Sequence, residues 1–271
     1  MALYLGLGSW TRSHLLLLLT WTTIFPLGLT QFCSFWDGGC VDPLAQTTVS
    51  IKFPPLFLDD INMYYAYDAN SQGKGQEPMT KVSFWLGYVA SHVNNSVITS
   101  NRTSEVALRV GNLTGTPYGD NNGCDGVWGP QCSANLKDVF KDAIYHLSVK
   151  GDYYSNPLET VLSQMSITPP NLPNCPPPFF DVQQIPVQNF VQETDTDQSA
   201  ALQTSGSANS PWKTWFVDNM TASQQADQVA VAIISRGPSY NSLALQSRDD
   251  VQIELACIQA PSSSSSSSSN S

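Results

Sequence analysis

Hydrophobic and polar positions alternate over several short stretches of this chain. In QTTVSIKF, residues 46–53, Val49, Ile51 and Phe53 share one side while Thr48, Ser50 and Lys52 share the other. That two-residue period predicts a half-buried strand, stopped by Pro54 and Pro55. KVSFWLGYVA, residues 81–90, predicts a second strand with Val82, Phe84, Leu86 and Tyr88 on one face and Trp85 and Val89 on the other, both faces covered. A third runs from Glu105 to Val110, with Val106, Leu108 and Val110 inward. QVAVAIISR, residues 228–236, is apolar on both faces, as a central strand is. Residues 250–259 alternate again, Val251, Ile253, Leu255 and Cys257 inward, Gln252 and Glu254 outward. FFDVQQIPVQNFVQ reads as extended.

The period changes in the middle. After a Gly/Asn/Asp/Pro loop over 115–132, Leu136, Val139, Phe140, Ala143, Ile144 and Leu147 recur at helical spacing. This predicts a helix over 134–150, capped by Ser133 and closed by Gly151. A second helix is predicted from a capping box: Asn156 caps, Pro157 takes the first position and Glu159 returns a bond. Leu158, Val161, Leu162 and Met165 form its stripe, and Pro169 and Pro170 end it. PPNLPNCPPP, residues 169–178, is a stiff connector. Residues 192–210 are polar and predict a mobile loop, and Ser210-Pro211 predicts a short helix carrying Trp212, Trp215 and Phe216.

Six or seven strands flanking two helices predict an α+β fold: a mainly antiparallel β-sandwich-like domain with a two-helix insertion, stapled by disulfides. Early and late strands must then pair across a long gap. The expected organisation is one domain over 31–261, with two half-domains as the alternative.

The first thirty residues read as an address. Arg12 precedes a 13-residue apolar run from Leu15 to Leu27, the length of a signal-peptide core and short for a membrane span. Small residues at Gly28 and Thr30 permit cleavage before Gln31. No later stretch is long and apolar enough to suggest a second span. Residues 262–271, eight serines followed by Asn270 and Ser271, read as a disordered tail suited to O-glycosylation. No hydrophobic segment follows it, so the sequence reads as released rather than anchored.

Export changes the meaning of the cysteines. All six (Cys33, Cys40, Cys124, Cys132, Cys175 and Cys257) lie beyond the leader, and an even number in an exported chain implies disulfides. Spacing favours two short rings, Cys33–Cys40 and Cys124–Cys132, leaving Cys175 with Cys257. A metal site is not expected, since no C-x-x-C occurs and only His92 and His146 follow the leader. Four N-x-[ST] sequons, at Asn94, Asn101, Asn112 and Asn219, mark candidate N-glycosylation sites.

Charge narrows the partners. With 12 Lys+Arg against 22 Asp+Glu the net charge is −10, and only 13% of residues are charged, about half the usual share. Neither nucleic acid nor an anionic membrane surface finds a basic patch here.

Catalytic chemistry is thin. No G-x-S-x-G is present. His92 stands beside the Asn94 sequon and His146 beside the helix stripe, so neither is expected to serve as a general base. Asp59–Asp60, Asp195/Asp197 and Asp249–Asp250 are candidate acid pairs for a glycosidase. However, adjacent acids in a strand such as Asp249–Asp250 face opposite ways, and the D-x-D spacing of Asp195 and Asp197 lies in a low-complexity loop that reads as solvated. GDNNGCDG, residues 119–126, has the composition of a calcium loop, but Gln131 stands where the closing acid belongs. A stapled turn is the better reading. Tyr64 and Tyr65, close to Asp59–Asp60, and Trp128 are candidate ligand-binding aromatics for a carbohydrate or small apolar molecule, with core packing as the alternative.

The leader, the first Cys pair, NNGCDGVWGPQC before an amphipathic helix, ISRGPSYNS, VQIELACIQAP and the Ser-rich end together resemble uncharacterised exported glycoproteins of filamentous fungi, over most of residues 31–261. Some of those proteins continue into a Ser-rich stalk and a membrane span or lipid anchor. The resemblance implies a secreted or cell-surface ectodomain, with cell-wall association a further expectation, and transfers no activity and no cofactor. Three expectations result. The first is a non-catalytic binding or structural glycoprotein. The second is an accessory protein of a fungal secondary-metabolite gene cluster holding a small molecule, which calls for an enclosed apolar cavity. The third is a carbohydrate-active enzyme with two facing carboxylates.

Overall fold

The computed structural model describes residues 34–38, 41–89, 92–98, 102–151, 154–175, 179–190, 212–238, 242 and 245–260. The predicted leader, the 192–210 loop and the Ser-rich tail lie outside the described residues.

Eight strands are found among them: β1 (Ala45–Ile51), β2 (Ile61–Asn70), β3 (Met79–Gly87), β4 (Arg102–Arg109), β5 (Val187–Phe190), β6 (Trp212–Asp218), β7 (Ala230–Pro238) and β8 (Gln252–Ile258). The helices are α1 (Asp125–Trp128), α2 (Pro130–Val149), α3 (Pro157–Ile167) and α4 (Ala222–Asp227), with a 3-10 turn at Arg248–Asp250. One sheet has the order β1-β2-β3-β6 and the other β5-β4-β7-β8. Every neighbouring pair is antiparallel. The expected α+β, mainly antiparallel architecture is therefore present, and its early and late strands do pair at a distance, β3 with β6 and β4 with β7.

Three apolar layers follow from the side-chain alternation. Tyr65, Tyr67, Phe84, Leu86 and Trp215 of the first sheet meet Val106, Leu108, Ala232 and Ile234 of the second in one buried cluster. The opposite face of the second sheet, with Ala107, Val231, Ile233, Ile253 and Leu255, packs on Leu136, Phe140 and Ile144 of α2 and Leu158, Val161 and Leu162 of α3. Burial on both faces explains the uninterrupted apolar run of β7. Outside the first sheet, Val41 covers Ala66 and Trp85, with Tyr64 packed against them.

The helix stripes hold as read from the sequence, but their N-termini differ. α2 starts at Pro130 behind Gly129, not at residue 134. Ser133 lies inside its first turn, where its hydroxyl donates to Asp125 Oδ1 (2.6 Å) and accepts from Trp128 Nε1 (2.9 Å). Gly151 closes the helix as expected, with a left-handed φ of 75° and its N–H on the Ser148 carbonyl. At α3, Pro157 does take the first position, but Asn156 makes no side-chain cap. Its amide instead donates to Glu159 Oε2 (2.9 Å) and accepts from Asn189 (2.8 Å). The cap comes from elsewhere, the Glu105 carboxylate on β4.

Two strands replace other readings. WKTWFVD is β6 rather than a helix. Trp212, Trp215 and Phe216 satisfy a helical spacing, but the aromatic and β-branched content suits a ladder that β3 offers. INMYYAYDAN, read only as a run of aromatics, is β2, with Ile61, Met63, Tyr65 and Tyr67 facing the other sheet.

Candidate functional site

The disulfides correct the expected pairing. Cys124 is joined to Cys257 and Cys132 to Cys175, with Cα separations of 4.8 and 4.9 Å. The residues between Cys124 and Cys132 are wound into α1 and the first turn of α2, which carries the two sulfurs to different neighbours. Loop 117–123 is laid along the edge of β8. Asn122 Nδ2 donates to the Leu255 carbonyl (2.8 Å), and the Cys257 N–H donates to the Asn122 carbonyl (3.1 Å). Cys132 lies beside the Pro-rich connector, where Asn135 Nδ2 reaches the Pro173 carbonyl (2.7 Å). Cys33 and Cys40 lie outside the described residues.

The calcium-like segment is a turn, with left-handed backbone at Asn121, Asn122 and Gly123. Its Asp125 carboxylate is taken up by Asn121 Nδ2 (2.8 Å) and the Ser133 hydroxyl.

Of the sequons, Asn112 and Asn219 are exposed with left-handed φ of 53° and 57°. Asn94 is half-buried, its Oδ1 accepting from the N–H and hydroxyl of Ser96. Asn101 is not among the described residues.

The candidate aromatics are not brought together. Tyr65 is fully buried between the sheets, its hydroxyl accepting from Gln225 Nε2 (2.6 Å). Gln225 Oε1 in turn accepts from the Thr80 hydroxyl (3.1 Å). Burial drives the Tyr65 phenol far above its ordinary value. Tyr64 stacks on Trp85 on the outer face of the first sheet, centroids 5.3 Å apart. Gly87 makes room for it, since a Cβ there would lie 2.8 Å from the Tyr64 ring. Trp128 belongs to the helical layer, edge-on to Phe179.

The acids are dispersed as well. Asp59 pairs with His92 at 2.8 Å on the surface, while Asp60 accepts from the Ser50 hydroxyl (3.2 Å). Burial raises the Glu105 carboxyl from 4.5 to about 7, against the two backbone N–H bonds that favour its charged form. It is fully buried under the start of α3. Among the described residues no group of three or more His, Cys, Asp or Glu could hold a metal ion.

Two recesses open on the surface. One, of about 450 Å³, runs between Thr47–Val49 of β1, an outer strand of its sheet among the described residues, and the turn Asn122–Gly123 beside Cys257. The other, of about 320 Å³, is lined by Pro55, Val97, Arg102, Arg236 and Gln252, with Asp249 and Asp250 also on its wall. Two of its lining residues, Arg236 on β7 and Gln252 on β8, are register partners, and Ser104 on β4, outside the lining, pairs with Arg236 on its other side to complete a row. Arg236 shares a face with Ile234, pointing into the inter-sheet space, and is 7% exposed. Arg102 lies diagonally beside it, opposite Pro238. Arg236 Nη2 donates to the Val97 carbonyl and Arg102 Nη1 to the Asp250 carbonyl (2.9 Å). Burial, and to a lesser extent the charge of Arg102, lower the Arg236 guanidinium to about 10. Among the described residues neither arginine forms an ion pair with a carboxylate, although the charge of Asp250 favours the Arg102 cation. The Ser104 hydroxyl and Gln252 Oε1 are buried with no hydrogen-bond partner among the described residues.

This row is absent from the sequence-derived candidates. Its one sequence signal is an arginine closing a run apolar on both faces, with Arg102 and Ser104 extending the inward alternation of Val106 and Leu108 backwards.

No family model, curated protein or solved structure matches the chain.

Proposed function

We propose that the chain is an exported, disulfide-bonded glycoprotein with a non-catalytic binding or structural role outside the cell, of the kind its resemblance to fungal exported glycoproteins implies. The observation that carries this reading is the pair of bridges, Cys124–Cys257 and Cys132–Cys175. Both fasten the helical layer, one to the last strand and one to the Pro-rich connector, and such bonds persist in oxidising compartments. The exposed sequons Asn112 and Asn219 and the apolar leader add support. No described helix is long and apolar enough to cross a membrane.

The enzyme alternative is weaker. Asp59 and Asp60 engage His92 and Ser50, and Glu105 is sealed under α3. The small-molecule alternative called for an enclosed apolar cavity, whereas the two recesses described are open and partly polar.

Expression of the full reading frame in a eukaryotic secretory host tests the proposal. The expected product is in the medium, with a mass that falls on treatment with an amidase specific for N-glycans. Retention in the cytosol at the unmodified mass would overturn it.

A further inference from the structure

Arg236 presents a charge problem that the chain does not solve by itself. A guanidinium carries five N–H donors, and the described partner of Arg236 is one carbonyl, that of Val97. A second cation, Arg102, lies diagonally next to it on the same face, so the two repel. The nearest carboxylates relieve this in part: the charge of Asp250 favours the Arg102 cation, but among the described residues no carboxylate forms an ion pair with either arginine. Asp250 Oδ2 accepts the backbone N–H of Gln246 (3.2 Å) and Ser247 (3.1 Å), and Arg102 reaches the Asp250 carbonyl rather than its carboxylate. Asp249 is exposed. Two further buried groups in the same row, the Ser104 hydroxyl and Gln252 Oε1, have no hydrogen-bond partner among the described residues.

We propose that the recess between Pro55, Val97, Arg102 and Arg236 is a binding site for a small organic monocarboxylate. Its head group lies between the two guanidinium groups, and its apolar body rests against Pro55 and Val97. A planar carboxylate matches the guanidinium fork and makes charge-assisted bonds. The negative charges of Asp249 and Asp250 on the wall disfavour a dianion such as phosphate. The volume, about 320 Å³, is at the small end of ligand pockets. This site stands on geometry alone and is independent of export, so the failure of either proposal leaves the other intact.

The test is calorimetric titration of the folded full chain at low ionic strength with sodium hexanoate, its neutral isostere hexanamide, and inorganic phosphate. Saturable one-to-one binding of hexanoate is expected, with no binding of hexanamide and phosphate weaker by at least about tenfold. Arg102 is half-buried at the rim, so Arg102→Gln leaves the fold intact by thermal melting. It weakens hexanoate by at least about tenfold, as loss of one partner of a charged hydrogen bond does. The exposed Asp249→Asn supplies a second arm, tightening hexanoate and narrowing its advantage over phosphate. Absence of saturable hexanoate binding, equal binding of hexanamide, phosphate binding as tight as hexanoate, or indifference to both substitutions would each overturn the assignment.

Discussion

The carboxylate of Glu105 accepts the backbone N–H of Leu158 at 2.7 Å, and its other oxygen accepts that of Glu159 at 3.1 Å. A strand residue thus caps a helix 53 positions later, satisfying two of the donors that a helix start leaves free. The pair fixes α3 to β4 and locates the helical layer on the second sheet.

The burial of Glu105, which outweighs these two bonds, makes stability depend on pH. Burial raises the Glu105 carboxyl from 4.5 to about 7, so the native state holds that proton more tightly than the unfolded chain. The stabilisation is complete below about pH 4.5 and is lost as the pH rises through about 7. The expected span is on the order of 3 kcal/mol. Urea denaturation of wild type and Glu105→Gln at pH 5 and pH 8 checks it. Wild type loses more stability over that interval than the variant, and parallel loss in both would refute the assignment.

The Thr80–Gln225–Tyr65 chain of hydrogen bonds lies in the inter-sheet core. Tyr65→Phe removes the acceptor for Gln225 Nε2 and strands a buried donor, at a cost of about 1–3 kcal/mol. A double-mutant cycle with Gln225→Leu should show a coupling of more than about 0.5 kcal/mol. Additive effects would mean that the bond contributes nothing.

Gly237 sits on β7 beneath both long helices, where a Cβ would lie 2.9 Å from Ile144 Cγ2 and 3.7 Å from Pro157. Gly237→Ala should lower stability by about 1–3 kcal/mol through overpacking. Adding Ile144→Ala removes the clash, so the double variant is more stable than the sum of the singles. Thermal melts of the four proteins decide this.

The disulfides differ in the loops they close, with sequence separations of 133 for Cys124–Cys257 and 43 for Cys132–Cys175. Chain-entropy reasoning gives about 5 and about 4 kcal/mol respectively. Cys124→Ser and Cys257→Ser should have matching effects, as should Cys132→Ser and Cys175→Ser. Matching effects of Cys124→Ser and Cys132→Ser, distinct from those of Cys257→Ser and Cys175→Ser, would favour the short-ring alternative.

Where an apolar period is long and local, the chain spells its element. The stripes of α2 and α3 and the two-sided burial of β7 are legible from residue types alone. Where a partner comes from far away, the sequence is silent. Asn156 has the residue type of a cap, but Glu105 already occupies the helix start, and no local pattern announces that. Cys124 and Cys132 look like ring partners by spacing, and only the docking of the 117–123 loop on β8 separates them. Tyr65 and Trp128 read as candidate ligand-binding aromatics with core packing as the alternative; β-pairing buries Tyr65 fully, and Trp128 is half-buried against Phe179. The Arg102–Arg236 recess was missed for the same reason, since it exists only through the β4–β7 register.

Non-reducing peptide mapping of the secreted protein by mass spectrometry tests the central claim most directly. The account predicts cross-linked peptides joining Cys124 to Cys257 and Cys132 to Cys175, with glycan mass on peptides containing Asn112 or Asn219. Free thiols at these four cysteines, or a Cys124–Cys132 link, with unmodified asparagines would contradict it.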